Sequence, residues 1–236
     1  MNKIGLIGGM GPESTVEYYQ GIIDKFKAES DDLNYPDIII YSVNLSRFIG
    51  LVNSGDERGA VDYLSEKLKK VEKAGPDFIA LTANTPHLFF DELQSRVDVP
   101  MLSIVDATAS EARRLKLKNC GLLGTGITMN NSFFSDVFKK SGMEITVPGE
   151  TQRKYLNTKL FSEIELGIFK NETRDGILQI IDEMKQTNGI DGVIMGCTEL
   201  PLILPDDEYY GIPVLNTTKI HINEIVRCCR EASDIV

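Results

Sequence analysis

The chain has 236 residues, of which 42% are hydrophobic and 25% are charged, a composition typical of one large or two small globular domains. Its formal net charge of −10 argues against nucleic acid and anionic membranes as partners. The four cysteines and two histidines show no zinc-ligand spacing. The sequence shows neither a membrane span nor a signal cleavage site, so we expect a cytoplasmic protein with reduced thiols.

Strands and helices are predicted to alternate along the first half of the chain. Apolar runs at 3–7, 37–43, 77–81 and 101–104 are typical of buried parallel strands. Helices are predicted at 13–28, from the capping residue Asp56 to just before Gly75, and after the turn that ends at His87. This alternation favours a parallel sheet covered by helices on both faces.

The same pattern continues in the second half. Strands are predicted at 120–123, 191–195 and 213–215. Helices are predicted at 129–141, 152–169, 173–187 and 219–232. The last of these helices contains Cys228 and Cys229, to which we assign no chemistry.

Two motifs recur in the same order in both halves. KIGLIGGMGP at 3–12 resembles NCGLLGTGIT at 119–128, and FIALTANTPH at 78–87 resembles GVIMGCTELP at 192–201. Such a repeat predicts an α/β fold of two pseudosymmetric domains, each with a mainly parallel sheet flanked by helices. We expect the domains to comprise 1–103 plus 216–236 and 104–215. Ligands of such sheets bind at the carboxyl ends of the strands, so we expect the site in the interdomain cleft.

Cys197 is the strongest candidate for chemistry. It follows a predicted strand and precedes a predicted helix, where backbone N–H groups and the helix dipole would favour a thiolate. We therefore predict a lowered pKa for this thiol. The alternative interpretation is a buried structural cysteine that packs as a small hydrophobe.

The other candidates are turns and cations. The glycine turn that contains Met10 reads G-G-x-G-P rather than G-x-G-x-x-G, so a dinucleotide site is disfavoured, but its N–H groups could bind a carboxylate. The polar turns 83–85 and 197–199, together with Thr125, offer further donors, or else serve as helix caps. Arg47 and Lys170 could pair with a second carboxylate, or else be solvated surface charges.

Four motifs, IGLIGGMGPEST, NTPH, GTGITM and GCTEL, occur in this order and resemble the aspartate/glutamate racemase family of PLP-independent enzymes. The resemblance implies a two-domain α/β fold, often dimeric, in which one cysteine from each domain flanks the substrate Cα without a cofactor. Cys197 falls on the second family cysteine. Lys170 falls near a family lysine that contacts the acidic side chain of the substrate, and Arg47 falls approximately on a family arginine.

The chain departs from the family pattern at Ala83, where relatives carry a cysteine or a threonine. Alanine cannot transfer a proton, which leaves Cys197 and the neighbouring Thr82 as the catalytic candidates. The substrate-binding candidates are Met10, Arg47, Asn84, Thr85, Thr125, Lys170, Thr198 and Glu199.

We predict a homodimeric, cofactor-independent amino-acid racemase that acts on aspartate, glutamate or a related amino acid. Two alternatives stay open. One is a one-sided decarboxylase or isomerase with a single cysteine, and the other is a non-catalytic binding protein for a small dicarboxylate.

Overall fold

Near-continuous apolar sequences form the central strands, because a parallel strand covered by helices on both faces has no polar side. The computed structural model describes residues 1–28 and 32–231. The chain divides into two compact units, one comprising Met1–Ile104 with the residues from His221 onward and the other comprising Val105–Ile220.

The first unit contains a four-stranded parallel sheet in the order β2-β1-β3-β4. Its strands are β1 (Ile4–Gly8), β2 (Ile38–Ser42), β3 (Phe78–Leu81) and β4 (Met101–Leu102). Its helices are α1 (Pro12–Lys27), α2 (Leu45–Asn53), α3 (Glu57–Glu72) and α4 (Phe90–Gln94), with a 3₁₀ helix at Thr85–Phe89. The sheet buries one set of side chains beneath α3 and the opposite set beneath α1 and the last helix of the chain.

The second unit contains a five-stranded sheet in the order β6-β5-β7-β9-β8. Its strands are β5 (Asn119–Gly124), β6 (Glu144–Thr146), β7 (Gly192–Gly196), β8 (Glu208–Tyr209) and β9 (Ile212–Asn216). Only β8 pairs in the antiparallel direction among these described strands. The helices are α5 (Ile104–Arg114), α6 (Gly126–Asn130), α7 (Phe133–Lys140), α8 (Glu150–Ser162), α9 (Asn171–Asn188) and α10 (Leu200–Ile203), with a 3₁₀ helix at Ile164–Leu166. Helix α11 (Thr217–Arg230) begins in the second unit and continues into the first, whose sheet it helps to cover.

The two sheets share one strand pattern. In each, the first strand of the unit lies between the second and the third, and one further parallel strand pairs with the third. The pattern β2-β1-β3-β4 therefore corresponds to β6-β5-β7-β9, which confirms the α/β fold predicted from the repeated motifs. By this correspondence β3 is equivalent to β7, and the residues that follow them are equivalent as well.

Several predicted boundaries were wrong. Ile104 begins α5 rather than ending a strand, and the predicted helix at 129–141 is divided into α6 and α7. The predicted helix at 152–169 ends at Ser162, a 3₁₀ segment follows at Ile164–Leu166, and Gly167 then turns the chain with a φ of 71°. Helices α2 and α5 and strands β6 and β8 were not predicted. The last helix begins at Thr217, and its predicted end at 232 lies outside the described residues.

No helix in the described part of the chain is both long enough and apolar enough to span a membrane.

Candidate active site

Cys197 directly follows strand β7, at the edge of the second sheet where α/β proteins bind ligands. Its side chain is only 5% exposed, and it packs against the apolar core of the second unit. The thiol Sγ lies 3.1 Å from Oε2 of Glu199 and 3.6 Å from Oε1 of Glu165. The hydroxyl of Thr198 donates to the same oxygen of Glu199 at 2.9 Å. The thiol proton therefore has a carboxylate acceptor within contact distance.

The prediction of a lowered pKa for Cys197 was wrong. Burial raises the pKa of this thiol well above its usual value, and the negative charges of Glu199 and Glu165 raise it further. The expected helix dipole is weak here because α10 has four residues and begins only at Leu200. In this state the thiol is neutral, and ionisation requires that its proton move to a neighbouring base.

Glu165 was not predicted as a site residue. It lies in the 3₁₀ helix that interrupts the apparent long helix at 152–169, and this break brings it next to Cys197. The only local signal was the helix-ending Gly167, which adopts the left-handed conformation. Glu199 was predicted as a binding residue from its turn, and the structure places it at the thiol.

Ala83 and Asn84 follow strand β3, the equivalent of β7, and both are buried. Asn84 makes no side-chain cap bond to the 3₁₀ helix after it, and neither does Glu199 in front of α10. Thr85 is half-buried at the start of that 3₁₀ helix. Capping thus does not account for the amide of Asn84 or the carboxylate of Glu199.

His87 connects the turn after β3 to the start of α5 through hydrogen bonds of its ring. Its Nδ1 lies 2.9 Å from the carbonyl oxygen of Ala83, and the backbone N–H of Ile104 donates to its Nε2 at 3.1 Å. Because a carbonyl only accepts, the ring carries its proton on Nδ1 and is neutral. Burial, with the proximity of His221, lowers the pKa of His87 to about 3. The neutral imidazole therefore ties the turn after β3 to the start of α5.

His221 makes a matching connection in the same unit. Its Nε2 lies 3.2 Å from the carbonyl oxygen of Leu102, so this nitrogen donates and Nδ1 accepts from the hydroxyl of Tyr18 at 2.8 Å. Burial lowers the pKa of His221 to about 3. The two histidine rings lie 6.3 Å apart. The pair joins α1, β4 and α11 behind the turn, a role that sequence reasoning did not assign.

Thr82 is fully buried, and its hydroxyl lies 3.3 Å from that of Thr15 on α1. Thr15 also accepts from the N–H of Gly9 at 2.7 Å and donates to the carbonyl of Gly11 at 3.2 Å. Gly9 has a φ of 84°, a conformation that favours glycine. The hydroxyl of Thr82 thus belongs to the network that supports the glycine turn.

The structure places two other predicted binding residues in supporting positions. Met10 is 5% exposed and packs in the core of the first unit. Thr125 is buried after strand β5, and its hydroxyl caps α6 by accepting from the N–H of Thr128 at 3.3 Å. Neither side chain presents a polar group that is uncommitted to the fold.

The two predicted cations have partners. Lys170 is 54% exposed and pairs with Glu163 at 3.0 Å. Lys159, Thr173 and Lys170, in that order of effect, hold the pKa of Glu163 down to about 2. Two lysines thus share one carboxylate, and the negative charge of Glu172 in the first turn of α9 also acts on Lys159. Arg47 is exposed on α2, where its guanidinium lies 4.8 Å from the centre of the Tyr63 ring.

Comparison with known proteins identifies the family. The profile of the family described as Asp/Glu/Hydantoin racemase matches residues 7–225. The broad specificity amino-acid racemase RacX of Bacillus subtilis (strain 168) is 30% identical over 218 residues, which cover 91% of this chain and 92% of that protein.

Solved structures show the same relationship. An aspartate racemase homologue from Pyrococcus horikoshii OT3 is 37% identical, with a TM-score of 0.85, over 98% of this chain and 100% of that one. Picrophilus torridus aspartate racemase shares the fold at 23% identity, with a TM-score of 0.72, over 96% of this chain and 94% of that one. These matches confirm the resemblance drawn from the four motifs, and the chain belongs to the Asp/Glu/hydantoin racemase family.

Proposed function

We propose that this amino-acid racemase moves the Cα proton of aspartate, glutamate or a related amino acid through a Cys197–Glu199 pair. The observation that carries the proposal is the contact of 3.1 Å between the buried thiol and the carboxylate. A thiol whose pKa is raised is a poor base by itself. A carboxylate in contact with it can take its proton and return it.

The S–H proton of Cys197 passes to Glu199, which becomes a neutral acid, while the sulfur becomes a thiolate. The thiolate removes the Cα proton, and backbone N–H groups stabilise the enolate-like carboxylate that develops. The negative charges of Glu165 and Glu199 raise the pKa of the thiol. The ammonium group of a bound amino acid brings a positive charge, which lowers that pKa and so favours the thiolate.

Racemisation also requires a proton donor on the opposite face of Cα. Ala83, the equivalent of Cys197 by strand order, has no transferable proton. Thr82 is the nearest hydroxyl in sequence, and its contact with Thr15 favours a positioning role over proton transfer. This arrangement supports, as a second candidate, a one-sided enzyme that exchanges or delivers the proton on the face of Cys197 only.

The acidic side chain of the substrate is assigned to Lys170. The half-exposed ammonium group of Lys170, which shares the Glu163 carboxylate with Lys159 and can still donate to a ligand, supports this assignment. The relative from Bacillus subtilis is described as having broad specificity, so the proposal includes neutral amino acids as slower substrates. Arg47 on α2, whose guanidinium lies over the ring of Tyr63, is a weaker candidate for the same role.

The decisive experiment is incubation of the protein with L- and D-amino acids in D₂O. Chiral chromatography measures inversion, and mass spectrometry measures deuterium uptake at Cα. Inversion of aspartate or glutamate that is lost in Cys197→Ser supports the proposal. Deuterium uptake without inversion supports the one-sided enzyme. Binding by calorimetry with neither reaction would leave a dicarboxylate-binding protein.

The predicted homodimer and cytoplasmic location belong to this proposal. Sedimentation equilibrium of the purified protein tests the dimer, since a monomer has a mass of 26.3 kDa. Fractionation of cells that express the tagged full chain tests the location.

A further inference from the structure

One group of side chains in the described part of the chain could hold a metal ion. It consists of Glu165, Cys197 and Glu199, and each offers one ligand atom within 4.8 Å of the others. All three belong to the second unit, and Cys197 and Glu199 are 5% and 4% exposed. A thiolate with carboxylates is a donor set suited to Zn²⁺.

The spacing of these atoms fits a tetrahedral ion. A zinc–sulfur bond of about 2.3 Å and a zinc–oxygen bond of about 2.0 Å at the tetrahedral angle separate the two ligand atoms by about 3.5 Å. The observed separations of Sγ from the carboxylate oxygens are 3.1 Å for Glu199 and 3.6 Å for Glu165. Small rotations of these side chains would suffice to accommodate the ion.

The carboxylate of Glu199 gives an independent indication that this group of side chains binds a cation. Its Oε2 accepts from Cys197 and Thr198, whereas its Oε1 is buried without a hydrogen-bond partner among the described residues. A buried carboxylate oxygen that lacks a donor costs free energy unless a proton donor or a cation reaches it. The ammonium group of the substrate would satisfy this oxygen, and so would a metal ion.

We propose that Glu165, Cys197 and Glu199 form an inhibitory Zn²⁺ site that competes with the amino-acid substrate. Binding replaces the S–H proton by a sulfur–zinc bond and releases that proton to solvent, with no change in oxidation state. Three protein ligands leave the fourth tetrahedral position for water. The ion is thereby bound to the thiol that the proposed racemisation requires. This inference rests on the proposed function only for its inhibitory effect.

Metal binding is measured without reference to turnover. The protein is treated with EDTA, dialysed, and titrated with Zn²⁺ by calorimetry, and Co²⁺ is used as a spectroscopic probe for a thiolate–metal charge-transfer band. We expect one Zn²⁺ per chain and a charge-transfer band that is absent in Cys197→Ser. Glu165→Gln and Glu199→Gln each remove a ligand and should weaken binding by at least the roughly 10–100-fold that loss of an outer-shell partner costs. The matched controls are Glu150→Gln, which removes an exposed carboxylate on α8, and Cys228→Ser, which removes a buried thiol on α11.

Activity assays then separate this proposal from the proposed function. In the EDTA-treated protein, Zn²⁺ should raise the apparent KM for the amino acid, and EDTA should restore it. Racemisation with no stoichiometric Zn²⁺ binding overturns the metal site and leaves the racemase intact. Zn²⁺ binding that survives both Cys197→Ser and Glu199→Gln places the ion elsewhere and also overturns the site. Stoichiometric binding in a protein that fails to racemise any amino acid supports the site and refutes the proposed function.

Discussion

Oε2 of Glu199 lies 3.1 Å from Sγ of Cys197, and both side chains are almost completely buried. The two groups are separated by one residue in the chain, so their contact depends on the turn after β7 rather than on distant packing. Since the neighbouring carboxylates oppose ionisation of the thiol, the same contact both disfavours a free thiolate and supplies a base for its proton.

Glu199→Gln should lower kcat for racemisation by about 10²–10⁴-fold, because the amide cannot take the proton of Cys197. The substitution preserves shape, so we expect little change in the thermal unfolding midpoint. Chiral chromatography gives kcat, and circular dichroism gives the midpoint. Glu150→Gln is the control and should retain full activity. A native kcat in Glu199→Gln would remove this carboxylate from the mechanism.

Alkylation of Cys197 should require a higher pH than that of an ordinary thiol, because burial and the two carboxylates raise its pKa. Glu199→Gln removes one of the negative charges and should therefore shift the alkylation profile to lower pH. Iodoacetamide labelling followed by peptide mass spectrometry measures the profile at this cysteine. Cys120, which is fully buried in β5 with its pKa raised to about 12, provides the internal reference. An unchanged profile in the variant contradicts the electrostatic account.

Ala83→Cys should accelerate inversion relative to deuterium exchange, since it adds an acid/base group at the strand end equivalent to that of Cys197. The gain could reach about 10²–10⁴-fold if proton transfer on that face limits the native enzyme. The ratio of inversion to exchange in D₂O is the readout. Ala83→Ser is the matched control, because it adds similar volume with a much weaker acid. Native protein that inverts as fast as it exchanges would show that another group already serves this face.

Lys170→Ala should reduce kcat/KM for aspartate and glutamate roughly tenfold, near the lower end expected for a hydrogen bond to a charged group because Lys170 is about half exposed. The same variant should affect alanine turnover much less. Lys154→Ala removes an exposed lysine paired with Glu150 and serves as the control. Equal losses for acidic and neutral substrates would mean that Lys170 does not select the side chain.

Acid should destabilise the protein through its two histidines. Both pKa values are lowered to about 3, whereas an unfolded histidine titrates near 6.5, so between these pH values the unfolded state binds more protons. Each histidine should then cost about 1.4 kcal/mol of unfolding free energy per pH unit as the pH falls below about 6.5. Urea unfolding at several pH values measures this slope. His221→Gln, which retains a donor toward Leu102, should lose the share of the slope that belongs to His221.

The strand ends that form the site were predictable because each is encoded by a short continuous stretch of sequence. Apolar runs identify β1, β3, β5 and β7, of which β1, β5 and β7 end at glycine, and the repeated motifs identify their equivalence. Cys197 and Glu199 were therefore placed correctly on the turn after β7. Helix α3 was likewise predictable, since Asp56 accepts from the N–H of Gly59 at its start.

The electrostatics of the site could not be predicted in this way. Glu165 reaches Cys197 only because α8 ends early, and that end is stabilised by the bonds of Glu163 to Lys159 and Thr173. These contacts join residues from three separate segments, and no periodic pattern indicates them. The pKa of Cys197 is raised rather than lowered because burial and the two carboxylates outweigh the dipole of the short helix that follows the thiol.

The last helix of the chain has a consequence for the order of folding during synthesis. Ile222, Ile225 and Val226 of α11 complete a core with Ile4 and Tyr18, so the first unit needs residues that leave the ribosome only after the whole of Val105–Ile220. Domains commonly fold in the order of their emergence. Here one face of the nascent N-terminal sheet is covered by α1 but lacks α11 until the second unit has been made. The second unit should therefore reach its native state first, and ribosome-bound chains that end before α11 should be sensitive to protease in the N-terminal half.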